Sequence, residues 1–176
     1  MPRFRENAVR FPDLPGDPPE RLSLDAEGVD LPDFAYRGTP LAQDVLERWL
    51  AAVASGRTRV LRYLQYVFVD DESLLAINRE HLAHDTYTDI VTFDLSDQHG
   101  DGADRAVEGE CYISVDRVRE NAASFSESPD RELLRVMVHG LLHLCGLGDK
   151  SAQEAQAMRA AEELALAQLG ELIAAA

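Results

Sequence analysis

The segment that constrains the fold most strongly is "RELLRVMVHGLLHLC", which covers residues 131–145. It is apolar enough to be a buried helix rather than a surface helix, whose apolar residues would be confined to one stripe. The preceding "SESPD", residues 126–130, contains the serine, proline and acidic residues that favour a helix start. We therefore predict a central buried helix here, with the other helices and strands packed around it.

Three runs rich in β-branched and aromatic residues predict strands, and a shorter alternating run predicts a strand at the edge of the sheet. The edge strand is expected within residues 21–34, and the others at residues 60–70, 89–95 and 110–116. The polar segment between the last two, residues 96–109, is predicted to be a loop.

Two helices are predicted between these strands from their caps and periodic apolar residues. In residues 39–56, Pro40 suits the first turn and Gly56 suits the end. The second, residues 72–83, follows Asp71, whose carboxylate can accept a hydrogen bond from a free backbone N–H of the first turn.

A last helix is predicted to open with a capping box at residues 151–154 and to run to about Gly170. Residues 1–20 contain five of the eight prolines and read as an irregular leader, and residues 171–176 read as a tail. Since strands and helices are intermixed, with no repeat and no linker between them, we expect one α+β domain over residues 21–170.

Charge and composition exclude several classes of protein. The formal net charge is −15, whereas nonspecific nucleic-acid binding normally depends on a basic surface. An RNA substrate remains compatible, because a local basic groove can occur on an acidic protein, but we expect no DNA partner. No apolar run approaches the ~18–20 residues that span a bilayer, and the first residues lack the apolar core of a secretion signal. The two cysteines give no disulfide framework, so we expect a cytoplasmic protein with no membrane partner.

The predicted central helix carries a pattern typical of a metal site. His139 and His143 are four residues apart and therefore lie on one helix face. Gly146 is a natural helix stop, after which the chain can fold back and present Asp149. Two imidazoles and a carboxylate are competent ligands for zinc or another divalent metal, and they leave a position open for water. These residues alone leave two alternatives open: a pair of hydrogen-bonded core histidines, and an acid that only stabilises a turn or a helix start.

The residue after the first histidine argues against one class of enzyme. Helical zinc peptidases carry a glutamate at this position, where it is the general base. Here the position is occupied by Gly140. The sequence therefore disfavours peptide hydrolysis.

The chain resembles the YbeY family, the bacterial metal-dependent endoribonucleases of ribosomal RNA maturation. The resemblance covers roughly residues 60–167, through several ordered segments with consistent spacing. These segments are "YVFVDDESLLAINREHL", "HDTYTDIVTFDL", "ISVDRVRENA", "ELLRVMVHGLLHLCG" and "MRAAEE".

The family motif is H-G-x-x-H-x-x-G-x-x-H, so the resemblance implies that His139 and His143 are ligands of one zinc ion per chain. Asp149 stands where the family has its third histidine. Either this carboxylate or a water would complete the site, and we expect direct ligation by Asp149. The resemblance also implies that Arg79, in the segment "INRE", is catalytic, and its planar guanidinium suits a scissile phosphate.

By resemblance, the fold is the YbeY-like α+β fold, a small mixed sheet packed with helices, and the function is that of a single-strand-specific metallo-endoribonuclease. The metal would acidify a water for attack on an RNA phosphodiester that Arg79 holds. Thr88 and Asp89 are expected to stabilise a turn first and to line the cleft second. The implied partners are ribosomal RNA and the small ribosomal subunit, in maturation of the 3′ end of 16S ribosomal RNA and in ribosome quality control.

Weaker signals concern further substrate contacts and other functions. Candidate substrate-binding residues are His84, Lys150, Arg57, Arg59 and Arg62. The alternatives to a nuclease are a ribosome-associated RNA-binding module with a structural metal, a zinc peptidase, and a metal-free protein with two core histidines.

Overall fold

The described part of the chain, residues 21–96 and 105–176, has strands and helices in mixed order in this computed structural model. The leader predicted for residues 1–20, and residues 97–104 of the predicted loop, lie outside the described residues. The strands are β1 (Leu22–Ala26), β2 (Ala35–Tyr36), β3 (Thr39–Pro40), β4 (Val60–Val69), β5 (Ile90–Asp94) and β6 (Ala106–Ser114). The helices are α1 (Gln43–Gly56), α2 (Asp71–Leu82), α3 (Val115–Ser124), α4 (Pro129–Leu144) and α5 (Ala152–Ala174).

Four strands form one mixed sheet in the order β1-β4-β6-β5. β1, β4 and β6 are parallel, whereas β5 is antiparallel to β6. The apolar half of β4, from Tyr66 to Val69, is buried, as expected for an inner strand that is covered on both faces. β1 lies at the edge, as predicted. The mixed sheet and the intermixed helices confirm the predicted α+β class.

The apolar helix α4 is the centre of the molecule. It packs against β5 and β6 and against α1, α3 and α5, which gives it apolar neighbours on most sides. The hydroxyl of Tyr66 donates to the carbonyl of Met137 in α4 at 2.6 Å, so the polar tip of this buried ring is paired. Its fully buried side chains include Leu134, Val136, Met137, Val138 and Leu141. The prediction of a central buried helix is confirmed.

Gly140 allows α4 to lie unusually close to the sheet. A Cβ atom at this position would be 2.6 Å from Ile90 Cδ1 and 3.0 Å from Cys111 Sγ. Both separations are shorter than the roughly 3.5–4.0 Å of favourable contact between carbon-sized atoms. Because the helix is held this close, the residue before Gly140 lies beside the start of β5.

The predicted starts of α1 and α2 differ from those in the structure. α1 begins at Gln43, because Pro40 instead belongs to β3, where it pairs with Ala35 in a two-residue hairpin. The cap of α2 is Asp70, whose Oδ1 accepts from the Ser73 N–H at 2.7 Å. Asp71, the predicted cap, instead binds a residue of α3.

Three other boundaries differ from the prediction. β6 begins at Ala106, within the segment predicted to be a loop, and ends at Ser114. Ser114 then caps α3, a helix that the sequence did not predict, by accepting from the Arg117 N–H at 3.1 Å. α5 opens with the predicted capping box but continues to Ala174, so most of the predicted tail is helical. Among the described residues, none of the helices is both long enough and apolar enough to cross a bilayer.

Candidate metal centre

The end of α4 brings the three predicted ligands together. His139 and His143 lie on one face of the last two turns, with 16% and 27% of their side-chain surfaces exposed. The helix stops at Leu144, and Gly146 has a φ of +101°, a conformation that glycine adopts without strain. This reversal returns the chain toward the helix and places Asp149 over the two imidazoles. The residues cluster as the spacing predicts, while their role as ligands stays a prediction.

The distances within this cluster fit a tetrahedral metal. The two histidine Nε2 atoms are 3.0 Å apart, and Asp149 Oδ2 lies 3.5 Å from His139 Nε2 and 3.3 Å from His143 Nε2. Zinc–nitrogen bonds of about 2.0–2.1 Å at tetrahedral angles separate neighbouring ligand atoms by about 3.3 Å. The three observed separations bracket this value.

The Nδ1 atom of each histidine already has a hydrogen-bond partner, which determines the ring nitrogen that is free to bind a metal. His143 Nδ1 lies 2.8 Å from the Leu147 carbonyl oxygen, and His139 Nδ1 lies 2.8 Å from Glu162 Oε1. A carbonyl and a carboxylate only accept hydrogen bonds, so in the neutral rings both Nδ1 atoms carry the proton. Both Nε2 lone pairs then point at each other and at a carboxylate. A bound cation would satisfy three acceptors that converge in this way, and imidazole and carboxylate together suit zinc.

A buried ion-pair network lies behind His139. Glu162 of α5 has 2% of its surface exposed, and Arg135 Nη1 of α4 lies 3.2 Å from both of its oxygens. Burial alone would raise the pKa of Glu162, but the hydrogen bond from His139 and the charge of Arg135 outweigh it and hold that pKa below the usual value. Arg135 also binds Glu132 at 2.5 and 2.8 Å. The carboxylate that holds His139 is therefore charged.

The cluster of His139, His143 and Asp149 opens into a cleft of about 460 Å³. Its opposite wall is the end of α2 and the turn into β5, including Leu82, Thr88 and Asp89. Burial raises the pKa of Asp89, although His139 and Arg135 act in the opposite direction. Thr88 and Asp89 thus line the cleft, and Thr88 also stabilises the turn by donating its hydroxyl to the Ile90 carbonyl at 3.3 Å.

Arg79 lies near this cleft but does not line it. It is in the last turn of α2, three residues before Leu82, and 57% of its side-chain surface is exposed. Its guanidinium forms an ion pair with Asp85, and this hydrogen bond raises the pKa of Arg79 further. A phosphate in the cleft would therefore compete with Asp85 for the guanidinium. The catalytic role of Arg79 stays a prediction.

The five weaker candidates do not form one surface. His84 is exposed in the turn after α2, and Lys150 is exposed next to Asp149 in the sequence. Arg57 and Arg59 lie near the C-terminal end of α4. Burial raises the pKa of Cys145 there to about 11, although the charges of these two arginines act in the opposite direction. Arg62 is exposed on β4 and lies 3.7 Å from Glu108. Arg62, which belongs to the predicted arginine patch, is therefore already close to an acid.

Sequence reasoning missed the network formed by Glu132, Arg135 and Glu162. A signal was present, because Glu162 interrupts the apolar stripe of α5 and a charge on a buried face needs a partner. The buried members of that stripe are Met158, Ala161, Ala165, Leu166 and Leu169.

Comparisons with known proteins agree on one family. The family model described as "Endoribonuclease YbeY" matches residues 37–170. A protein of that name from Phocaeicola vulgatus is 41% identical over 146 residues, covering 83% of this chain and 96% of the relative. Another, from Porphyromonas gingivalis W83, is 43% identical over 153 residues, covering 87% of this chain and 93% of the relative.

A solved structure shows the same fold. The solution structure of TM1509 from Thermotoga maritima superposes with a TM-score of 0.52 at 24% identity. The superposition covers 85% of this chain and 90% of that one. At this level of identity the likeness concerns the fold alone.

Proposed function

Since this chain belongs to the YbeY family of endoribonucleases, which are hydrolases that act on RNA, we propose that it cleaves single-stranded ribosomal RNA. The proposed reaction is hydrolysis of a phosphodiester bond in maturation of the 3′ end of the small-subunit ribosomal RNA, and in ribosome quality control. The proposed partners are this RNA and the small ribosomal subunit, and the proposed cofactor is one zinc ion per chain.

The observation that supports a hydrolytic centre most strongly is the convergence of three acceptor atoms at an open cleft. His139 Nε2, His143 Nε2 and Asp149 Oδ2 lie within 3.5 Å of one another and face the cleft wall formed by β5. These three residues would hold the metal. When bound there, zinc supplies a Lewis acid that lowers the pKa of a water toward ~7, which provides hydroxide at neutral pH.

The remaining residues would position the substrate. The cleft of about 460 Å³ has room for a sugar–phosphate unit, and its wall next to β5 belongs to the outermost strand of the sheet. We infer that a phosphate entering the cleft draws the Arg79 guanidinium away from Asp85. The planar guanidinium would then bind two phosphate oxygens and stabilise the charge that develops on them.

Asp149 distinguishes this centre from one with three histidines. An ionised carboxylate in place of a neutral imidazole lowers the net charge of a zinc site by one unit. A less positive metal polarises a water less strongly. We therefore expect the cleavage rate of this protein to rise when Asp149 is replaced by histidine, provided that the metal stays bound.

Peptide hydrolysis is disfavoured by the packing of α4. A glutamate at position 140 would be needed as the general base, and this position is crowded. Even the first side-chain atom would lie 2.6 Å from Ile90 Cδ1, so neighbouring side chains would have to move. The close contact of α4 with the sheet therefore disfavours the side chain that the peptidase mechanism requires.

A cleavage assay tests this proposal. A labelled single strand carrying the 3′ end of the small-subunit RNA, and the same sequence in a duplex, are incubated with zinc-loaded protein. We expect the wild type to cut the single strand, His143→Ala to lose activity with its metal, and Arg79→Ala to lose about 100-fold while keeping its metal. Arg119→Ala is the matched control, because Arg119 is also an exposed helical arginine beside an acid, 3.9 Å from Asp116.

Two results would contradict the proposal. RNA that binds to the zinc-loaded wild type without being cut would indicate an RNA-binding module with a structural metal. Digestion of casein, with no RNA cleavage, would indicate a peptidase despite the crowded position of Gly140.

A further inference from the structure

We propose that Glu162 is a positioning residue that sets the metal affinity of the centre by holding His139 in the orientation and tautomer that ligation requires. The inference rests on the proposed metal centre, but not on the nature of the RNA substrate. It assigns a role to a residue of α5 that lies outside the ligand motif.

The geometry defines what Glu162 does to His139. Its Oε1 atom lies 2.8 Å from His139 Nδ1, on the side of the ring opposite the atom that faces His143 and Asp149. This contact keeps the proton on Nδ1 and leaves the lone pair on Nε2, as a metal ligand needs. Carboxylates bound to the outer nitrogen of a ligating histidine also raise its basicity.

The carboxylate is itself held in place by α4. Arg135 Nη1 lies 3.2 Å from each oxygen of Glu162, and the same guanidinium binds Glu132 at 2.5 and 2.8 Å. Arg135 Nη2 also lies 3.8 Å from Asp89 Oδ2, so three carboxyl groups face one guanidinium beside His139. A dication bound by that histidine offsets this excess of acidic groups. The network therefore stabilises the metal-bound form of the centre more than the metal-free form.

The two histidines are held by different kinds of group, which makes the inference testable. His143 Nδ1 faces the backbone carbonyl of Leu147 at 2.8 Å, and no side-chain substitution removes that acceptor. His139 depends on a side chain. If Glu162 acts through His139, its substitution changes metal binding only while His139 is present.

A purely structural role is the competing explanation, since a buried acid paired with an arginine also stabilises helix packing. Glu162→Gln separates the two, because glutamine keeps the size and one accepting oxygen but removes the charge. Glu163→Gln is the matched control on the same helix. Glu163 pairs with Arg131 at 2.7 Å, and 53% of its side-chain surface is exposed.

The experiment measures the zinc dissociation constant by competition with a chromogenic chelator, together with the melting temperature of the zinc-free protein. We expect zinc binding to weaken by about 10- to 100-fold in Glu162→Ala and by a smaller factor in Glu162→Gln. Glu163→Gln should match the wild type. In a His139→Ala background, Glu162→Gln should cause no further loss, because coupled residues are not additive.

The possible failures are distinguishable. Glu162→Gln and Glu162→Ala proteins that bind zinc like the wild type, with a lower melting temperature, would overturn the inference and leave a structural role. The same loss with and without His139 would also overturn it. A wild type that binds no zinc would overturn the metal centre itself, and the inference with it.

Discussion

Arg135→Met removes the guanidinium that lies between two buried carboxylates. Glu132 and Glu162 each have 2% of their surface exposed, and Arg135 binds both at 2.5 to 3.2 Å. Methionine fills much of the same volume, so the main loss is the compensating charge. Breaking a buried ion pair by removing one partner costs about 3–5 kcal/mol. The side chain of Arg135 is 15% exposed, so we expect the lower end of this range.

The assay is unfolding of the zinc-free protein by heat and by urea. A loss of about 3 kcal/mol lowers the melting temperature by roughly 6–12 °C in a chain of this size. Arg131→Met is the matched control. Arg131 is the arginine one turn earlier in α4, and it pairs with Glu163 nearer the surface. Partly exposed pairs of this kind contribute about 0–1 kcal/mol.

The pH dependence of this loss of stability gives a second test of the network. In the wild type the pKa of Glu162 is lowered, so its contribution to stability is present above the unfolded-state pKa and is lost as the pH falls through the folded-state pKa. Without Arg135, one of the two groups that lower the pKa of Glu162 is missing, so its burial raises that pKa relative to the wild type. The difference between wild type and variant should therefore shrink as the pH falls from 7 toward about 5. A loss no larger than that of Arg131→Met, or one that does not change with pH, would refute this account of the network.

Three further predictions concern the packing and the RNA surface. Gly140→Ala should lower the free energy of unfolding by about 1–3 kcal/mol, because its methyl group meets the sheet, and urea unfolding measures this. Replacing Arg57, Arg59 and Arg62 together by glutamine should weaken RNA binding and flatten its dependence on salt in fluorescence anisotropy, whereas unchanged binding would exclude the patch. Asp85→Asn should tighten RNA binding at low salt by releasing a guanidinium for phosphate, and an unchanged or weaker affinity would argue against that exchange.

The parts of the fold that sequence reasoning predicted well are those set by local physics. The apolar residues of α4 occur on nearly all sides, so its burial follows from composition alone. The capping box of α5 follows from two side chains three residues apart, Ser151 and Glu154, and both of its hydrogen bonds form. The clustering of the candidate ligands is also local, since it needs only a helical spacing of four and a reversal at Gly146.

The parts that were missed depend on distant residues or on competing signals. Pro40 suits a helix start, but pairing with Ala35 places it in a strand. The start of α3 was hidden because "ECYISVD" reads as one continuous strand, although Ser114 is a good cap. Glu162 contacts His139 across 23 positions of sequence, and no local pattern of α5 identifies its partner. Arg79 is a different case. Its partner Asp85 is only six residues away in the sequence, but their ion pair depends on the turn that follows α2.

The central claim is that His139, His143 and Asp149 hold a metal ion, and metal content tests it most directly. Elemental analysis is made on the purified wild type and on Asp149→Ala, both without a histidine tag. The account predicts about one zinc per chain in the wild type and a clear loss in the variant. A wild type that carries no metal, even after zinc is supplied, would contradict it and remove the hydrolytic mechanism.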